Sequence, residues 1–288
     1  MKESRFESPL RYPGGKACLF PFFSKLFIEN DLIGINYAEP YAGGAGLALK
    51  LLFNECVNEI YINDYDCLVY SFWNSILKSN DRFCEWVESV DVNIENWNYY
   101  KRIQNNPQEY SSFEIAQAFF FLNRTNISGI IKGGPIGGLL QKGKYKINAR
   151  FNKMDLIRRI KRIKLFKDRI HISNKDGVQF ISSLNKNNKK FMIYIDPPYV
   201  EKGSNLYLNF YKQKDHVLLS RKIRKIDHYW ILSYDNTNFI LDLYANKNKT
   251  VYELSQSTSN RMGKEILIFS NSISYSNSMK ILRNSREV

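Results

Sequence analysis

The chain has 288 residues, 44% of them hydrophobic, and a formal net charge of +14. That is enough apolar material for a sizeable core, yet no apolar run is long enough to cross a bilayer, and "MKESRFESPLRYPGGK" lacks the apolar stretch of a signal peptide. A cytoplasmic protein with no membrane partner is expected, and an isoelectric point near 9.4 favours a polyanionic one. Cys18, Cys56, Cys67 and Cys84 form no CxxC pair, and His171, His216 and His228 lack metal-ligand spacing, so no structural metal is expected.

In chain order, "INYAEPYAGGAGLALKLLF" runs from a short strand through a glycine-rich turn into a helix from about Leu47. Gly43, Gly44 and Gly46 permit a tight turn, and the helix presents its amide-rich end to it. "EIYINDYDCLVYSFWNSI" follows as a strand, Tyr61 to Asn63, that ends at Asp64 before another helix. Asp64 lies about twenty residues beyond Gly43, where dinucleotide-type folds place the acid that binds ribose hydroxyls. Together these features point to an adenosine-containing cofactor; Asp64 also reads as a helix N-cap.

The middle of the chain differs in character. A helix over "FEIAQAFFFLNRT" leads into the glycine-rich "NISGIIKGGPIGGLLQKGKYKINARF", read as an ordered irregular loop. A helix over "MDLIRRIKRIKLF" follows, with Leu156, Ile157, Ile160 and Ile163 inward and the cations outward. Twelve basic residues lie between Lys142 and Arg169, against Asp155 and Asp168. The reading is an insertion that grips a phosphate backbone; a helical subdomain with a solvated face is the alternative.

The α/β rhythm then resumes. "RIHISNKDGVQFISSL" reads as strand, turn and helix, and "FMIYI" as a buried strand. That strand stops at Asp196, Pro197, Pro198 and Tyr199, because the prolines cannot continue it. "YWILSYDNTNFILDLY" repeats the pattern. "TVYELSQSTSNRMGKEILIF" reads as two antiparallel strands closing the sheet.

"RYPGGK" (11–16), "EPYAGGAG" (39–46), "INDYD" (62–66), "FFLNRT" (120–125) and "DPPYV" (196–200) occur in that order. With them the chain resembles the Dam-type, α-group adenine-specific DNA methyltransferases over nearly its whole length. The resemblance implies an α/β fold: a Rossmann-like S-adenosylmethionine-dependent sheet in residues 1–75 and 166–288, with a mostly helical target-recognition insertion at 76–165. It implies methyl transfer from S-adenosyl-L-methionine to the amino group of a flipped adenine in double-stranded DNA.

The same resemblance places cofactor contacts at Tyr12, Gly15, Lys16, Glu39, Pro40, Gly43, Asp64 and Asp196. Lys16 suits the methionine carboxylate or is a solvated surface lysine; Glu39 touches the cofactor or only orders its loop. The catalytic group is Asp196, Pro197, Pro198 and Tyr199. The Asp196 carboxylate and Pro197 carbonyl accept the amino hydrogens, so that the nitrogen lone pair can point at the methyl, and Tyr199 offers a stacking face. Asn123, Arg124, Ser128, Lys132, Lys144 and Arg150 are candidates for DNA contact, although Asn123 and Arg124 equally suit bridging the end of their helix. Three departures from the family pattern stand out: Ala45 sits where glycine is common, Lys132 where close relatives carry arginine, and Ile127 near where they carry an aromatic side chain.

Neighbouring chemistry stays open at this point: the cytosine amino group, glutamine, RNA adenine, a nicotinamide-dependent enzyme, or an inactive DNA-binding relic. A cognate restriction endonuclease is a further partner left open. A monomer is expected, since one methylated base requires one active site.

Overall fold

The computed structural model describes residues 7–12, 14–201, 211–256 and 261–288. Pro13 of the "RYPGGK" motif and residues 257–260 lie outside them. The chain divides into two compact units, one drawn from Lys16–Tyr65 and Arg169–Val288, the other from Met1–Gly15 and Asp66–Asp168.

The first unit is built on an eight-stranded sheet in the order β3-β2-β1-β4-β5-β7-β6-β8. Its strands are β1 (Ile35–Glu39), β2 (Val57–Asn63), β3 (Ile170–Ser173), β4 (Phe191–Ile195), β5 (Tyr229–Asp235), β6 (Lys249–Gln256), β7 (Arg261–Phe269) and β8 (Arg286–Glu287). Strands β1 to β5 are parallel, and β4 is buried along its whole length, which is why "FMIYI" reads as a continuous apolar run rather than an alternation. The antiparallel pair expected near the C-terminus is present, but β7 inserts between β5 and β6. The connections step one way from β1 to β2 and β3 and the other way from β4 to β5, so the strand order switches between β1 and β4. The carboxyl ends of those two strands therefore flank the crevice where open α/β sheets bind ligands.

Helix α1 (Phe20–Glu29) packs Phe22, Phe23, Leu26 and Phe27 into the core, and α2 (Gly46–Phe53) leaves the glycine-rich turn. The residue before α2 is Ala45, held at φ 45°, ψ 32° in the left-handed region. That explains why glycine suits this position: a side chain there costs about 1–2 kcal/mol.

The second unit is helical: α3 (Cys67–Lys78), α4 (Asn80–Ser89), α5 (Ile94–Asn105), α6 (Ser112–Thr125) and α7 (Lys153–Lys164). Its core is aromatic. Phe72 of α3 stacks on Phe120 of α6, with ring centroids 5.4 Å apart, and Phe83, Trp86 and Phe151 meet Phe120 at an angle. Leu156, Ile160 and Ile163 of α7 are buried, whereas Ile157, read from the sequence as inward-facing, is only half-buried. A boundary at 76 in the sequence compares with Asp66 in the structure, because the Phe72 packing ties α3 to the helices that follow it. Residues before Lys16 join this unit through Asn123, whose side chain pairs with the backbone of Arg11.

Candidate active site

Three strand ends supply the acids of the crevice. At the end of β1, Glu39 is buried; it accepts the Tyr37 hydroxyl at 2.9 Å and the backbone amide of Ala48 in α2. Burial, with the nearby charge of Asp196, raises its pKa to about 8, so this carboxyl is neutral over most of the physiological range. At the end of β2, Asp64 is half-exposed and accepts the Gly43 amide at 2.9 Å, which links the acid directly to the glycine-rich turn. The helix-capping role open to Asp64 falls instead to Asp66, which accepts the Leu68 amide at the start of α3.

Asn63, which sequence reading did not single out, organises this corner. Buried at the end of β2, it donates to the carbonyls of Pro40 and Lys175, both at 2.9 Å, and accepts from Ser173 Oγ and the Lys175 amide. All its hydrogen-bonding capacity goes into joining the "EPYAGG" turn to the segment after β3. The only sequence signal was its place beside Asp64 at a strand end.

At the end of β4, Asp196 is held from two sides. Ser233 Oγ of β5 donates to Oδ1 at 2.6 Å, and Lys16 Nζ lies 3.0 Å from Oδ2. The serine hydroxyl has one hydrogen and spends it on Asp196, so the Tyr194 hydroxyl, 2.9 Å away, must donate to Ser233. The parallel register of β4 and β5, Ile195 opposite Leu232, brings Asp196 and Ser233 together one residue further along each strand.

Lys16 is 6% exposed, which removes the surface-lysine alternative. Its ammonium also lies 3.7 Å from Glu265 Oε2 on β7 and 5.1 Å from the centre of the Tyr199 ring. Glu265 in turn accepts the Tyr252 hydroxyl at 2.9 Å. One buried cation thus offsets two carboxylates, and removing it would leave both uncompensated in a low-dielectric site.

Beyond Asp196, Pro197 is buried, while Pro198 and Tyr199 are half-buried. Asp235, at the end of β5, accepts the amides of Val200 at 3.1 Å and Glu201 at 2.8 Å and so fixes the exit of the turn. The Tyr199 hydroxyl is buried and makes no hydrogen bond among the described residues. Ser233, Asp235, Glu265 and Asn63 all escaped sequence reading, since each acts across strands.

Tyr12 and Gly15 belong to the helical unit, where the Tyr12 carbonyl accepts the Gly15 amide at 3.2 Å. The "FFLNRT" segment proves to be a structural hub of that unit. Asn123, 1% exposed, accepts the Arg11 amide at 2.8 Å and donates to the carbonyls of Arg11 and Gly129. Arg124 is buried and donates to the carbonyls of Arg150 and Pro9. Burial pulls its pKa down, yet a guanidinium so placed keeps its charge at neutral pH. Both side chains make the bridging contacts that the sequence also allowed.

Ser128 is half-buried in the left-handed region, and Lys132, Lys144 and Arg150 are exposed. Those three cations form no ion pair among the described residues. Much of α7 is otherwise engaged: Arg158 and Arg159 pair with Asp155, Arg162 with Glu7, and Lys164 with Asp81. The free positive charge thus sits on the glycine-rich segment more than on the helix that the sequence suggested. No helix among the described residues is long and apolar enough to cross a membrane.

Known proteins resemble the chain over most of its length. The Type II methyltransferase M.CviBI of Paramecium bursaria Chlorella virus NC1A is 23% identical over 261 residues, which cover 89% of this chain and 95% of that protein. The family model for D12 class N6 adenine-specific DNA methyltransferases matches residues 12–260. That span holds strands β1 to β6 with the three acidic strand ends and most of the helical unit, and the chain belongs to this family of adenine-specific DNA methyltransferases.

Proposed function

We propose that this enzyme takes its methyl group from S-adenosyl-L-methionine and places it on the exocyclic nitrogen of an adenine turned out of double-stranded DNA. The observation that carries the reading is Asp196, oriented by Ser233 and Lys16 at the carboxyl end of β4 and followed by two prolines.

The residues of the crevice fit this donor. Asp64 beside the Gly43 turn suits ribose hydroxyls. The buried ammonium of Lys16 suits a carboxylate, and the Tyr199 hydroxyl, with no hydrogen-bond partner among the described residues, leaves a polar atom for a ligand to satisfy. Glu39, neutral and bonded to Tyr37 and Ala48, serves the site by fixing the start of α2 rather than by charge, with Pro40 held by Asn63. Tyr12 and Gly15 complete the set of cofactor contacts. When bound, the donor supplies a methyl group made electrophilic by its positive sulfur.

An adenine amino group is a poor nucleophile because its lone pair is delocalised into the ring. Asp196 and the Pro197 carbonyl accept its two hydrogens and favour a pyramidal nitrogen whose lone pair is free to attack. Proline restricts the backbone at both positions, so the acceptors need no reorganisation as charge develops. Tyr199 provides a face for the base. In a duplex the nitrogen is shielded by stacking and pairing, so the base must be extruded. Transfer is direct, and alignment supplies much of the acceleration.

Ser128, Lys132, Lys144 and Arg150 contact DNA, while Asn123 and Arg124 hold the segment that carries them. The enzyme works as a monomer in the cytoplasm. The type II description of the viral relative supports a place in a restriction system, with an endonuclease acting on the same site.

Calorimetric titration with S-adenosyl-L-methionine tests the cofactor assignment. Wild type binds, and Asp64→Ala weakens binding by about tenfold or more, the cost of roughly one charge-assisted hydrogen bond. Absence of binding by the wild-type protein, or an Asp64→Ala variant that binds equally well, would overturn it.

A further inference from the structure

The glycine-rich segment of the helical unit holds a small closed loop with an unusual cargo. The chain leaves α6 at Asn126, which bridges back to Pro135; the Ile127 amide donates to the Gly134 carbonyl and the Ile136 amide to the Thr125 carbonyl. From Gly137 it loops out and returns at Gly143, whose amide donates to the Gly137 carbonyl at 3.2 Å. The two glycines make the crossing. A Cβ on Gly137 would meet the Tyr145 carbonyl oxygen at 2.6 Å, and one on Gly143 would meet the Gly137 Cα at 2.9 Å.

Inside the loop, Gln141 acts as a staple. Its side-chain amide donates to the carbonyls of Ile136 and Gly138, at 2.9 and 2.6 Å, and its oxygen accepts the Ile147 amide at 2.8 Å. This backbone order is spent on presenting two leucines to water: Leu139 is 59% exposed and Leu140 is 77% exposed. Lys142, Lys144 and Lys146 follow immediately, all exposed.

Scattered exposed leucines need no explanation. Two adjacent ones at the tip of a stapled, glycine-closed loop, flanked by cations on a protein whose substrate is DNA, do need one. The lysines suit phosphates on either side of a groove. The leucines have no polar atom with which to read a base edge, but they suit the space between bases, where apolar side chains wedge.

We propose that Leu139 and Leu140 form an apolar wedge that enters the duplex substrate and loosens the stacking from which the adenine is extruded. The inference rests on the reading that this enzyme acts on an extruded adenine of double-stranded DNA. It adds residues to which neither the motifs nor the family match assigns a role.

The test uses the full-length enzyme and oligonucleotides carrying its methylation site, first found by modification-sensitive sequencing of DNA from a methylation-free host that expresses it. In one duplex the target adenine pairs with thymine; in the other it faces an abasic position. Leu139→Ala/Leu140→Ala is compared with wild type and with Leu139→Met/Leu140→Met, after thermal melting has shown all three to be equally folded. Because unstacking a base step is costly, the alanine variant is expected to lose about tenfold or more in kcat/KM on the paired duplex. It should come within roughly threefold of wild type on the abasic one, where that cost is smaller, and the methionine variant should stay close to wild type on both. Equal loss on the two duplexes, or no loss on the paired one, overturns the wedge. A wild-type enzyme that methylates only unpaired adenine instead overturns the extrusion reading on which the wedge rests.

Discussion

Replacing Ser233 with alanine removes one hydroxyl group from a fully buried position, and the structure sets how much that should matter. The lost contact is a 2.6 Å donation to the Asp196 carboxylate. A hydrogen bond to a charged group is worth about 1.5–3 kcal/mol. Without it, Asp196 retains Lys16 on Oδ2 but nothing defined on Oδ1, and the carboxylate can turn away from the orientation that the proposed reaction requires. At about 1.4 kcal/mol per decade, kcat should fall roughly ten- to a hundredfold. KM for S-adenosyl-L-methionine should move by less than about threefold, because the interaction serves the chemical step. Tyr194→Phe is the companion variant. It deletes the outer link, Tyr194 to Ser233, and leaves the Ser233 donation to Asp196 intact. It should cost stability comparable to Ser233→Ala and lower kcat by less than about threefold. Steady-state methyl transfer and thermal melting measured on both variants decide the matter. The reasoning is refuted if Ser233→Ala keeps kcat within twofold of wild type, or if Tyr194→Phe loses as much activity as Ser233→Ala.

The remaining predictions draw on other parts of the molecule. Glu39 has its folded pKa raised from 4.5 to about 8, so the folded state holds this proton more tightly than the unfolded chain does. Its contribution therefore erodes stability as pH rises from about 4.5 to about 8 and is level beyond; Glu39→Gln should flatten that part of the profile and melt higher than wild type at alkaline pH, and an unchanged difference across the range would refute it. Neutralising Lys132, Lys144 and Arg150 together should reduce the slope of log affinity against log salt for duplex DNA by roughly two to three, since each released counterion contributes about 0.9; an unchanged slope would remove these cations from the interface. Asn123→Ala should destabilise the fold by about 1–3 kcal/mol by leaving the Arg11 backbone groups unpaired. A variant as stable as wild type that binds DNA poorly would mark Asn123 as a direct contact.

The parts of this protein legible in its sequence are those encoded by contiguous residues. The buried strand before Asp196 shows as an apolar run that stops at two prolines. The turn at Gly43 and the acid at Asp64 are separated by one helix and one strand, a spacing that chain geometry fixes, and the Gly43–Asp64 hydrogen bond closes that unit. What escaped depends on register. Ser233 meets Asp196 only because β4 and β5 pair with Ile195 opposite Leu232, and a slip of one residue would turn Ser233 to the other face. Glu265 reaches Lys16 because β7 sits against β5 instead of at the sheet edge, an order that local pattern does not contain. Asn123 and Arg124 carried two readings in the sequence, contact with DNA or a bridge at the end of their helix. Polar residues at a helix end look like contacts for a partner, yet here they satisfy backbone groups of a segment more than a hundred residues away in sequence.

The central claim is that Asp196 drives methylation of the adenine amino group, and nucleoside mass spectrometry of enzyme-treated duplex DNA tests it most directly. Wild-type protein supplied with S-adenosyl-L-methionine carrying a labelled methyl group should yield labelled N6-methyladenine as the product. Asp196→Ala should yield none while still binding duplex DNA close to the wild-type level. Label in cytosine, or an Asp196→Ala variant that methylates adenine at an undiminished rate, would contradict the account.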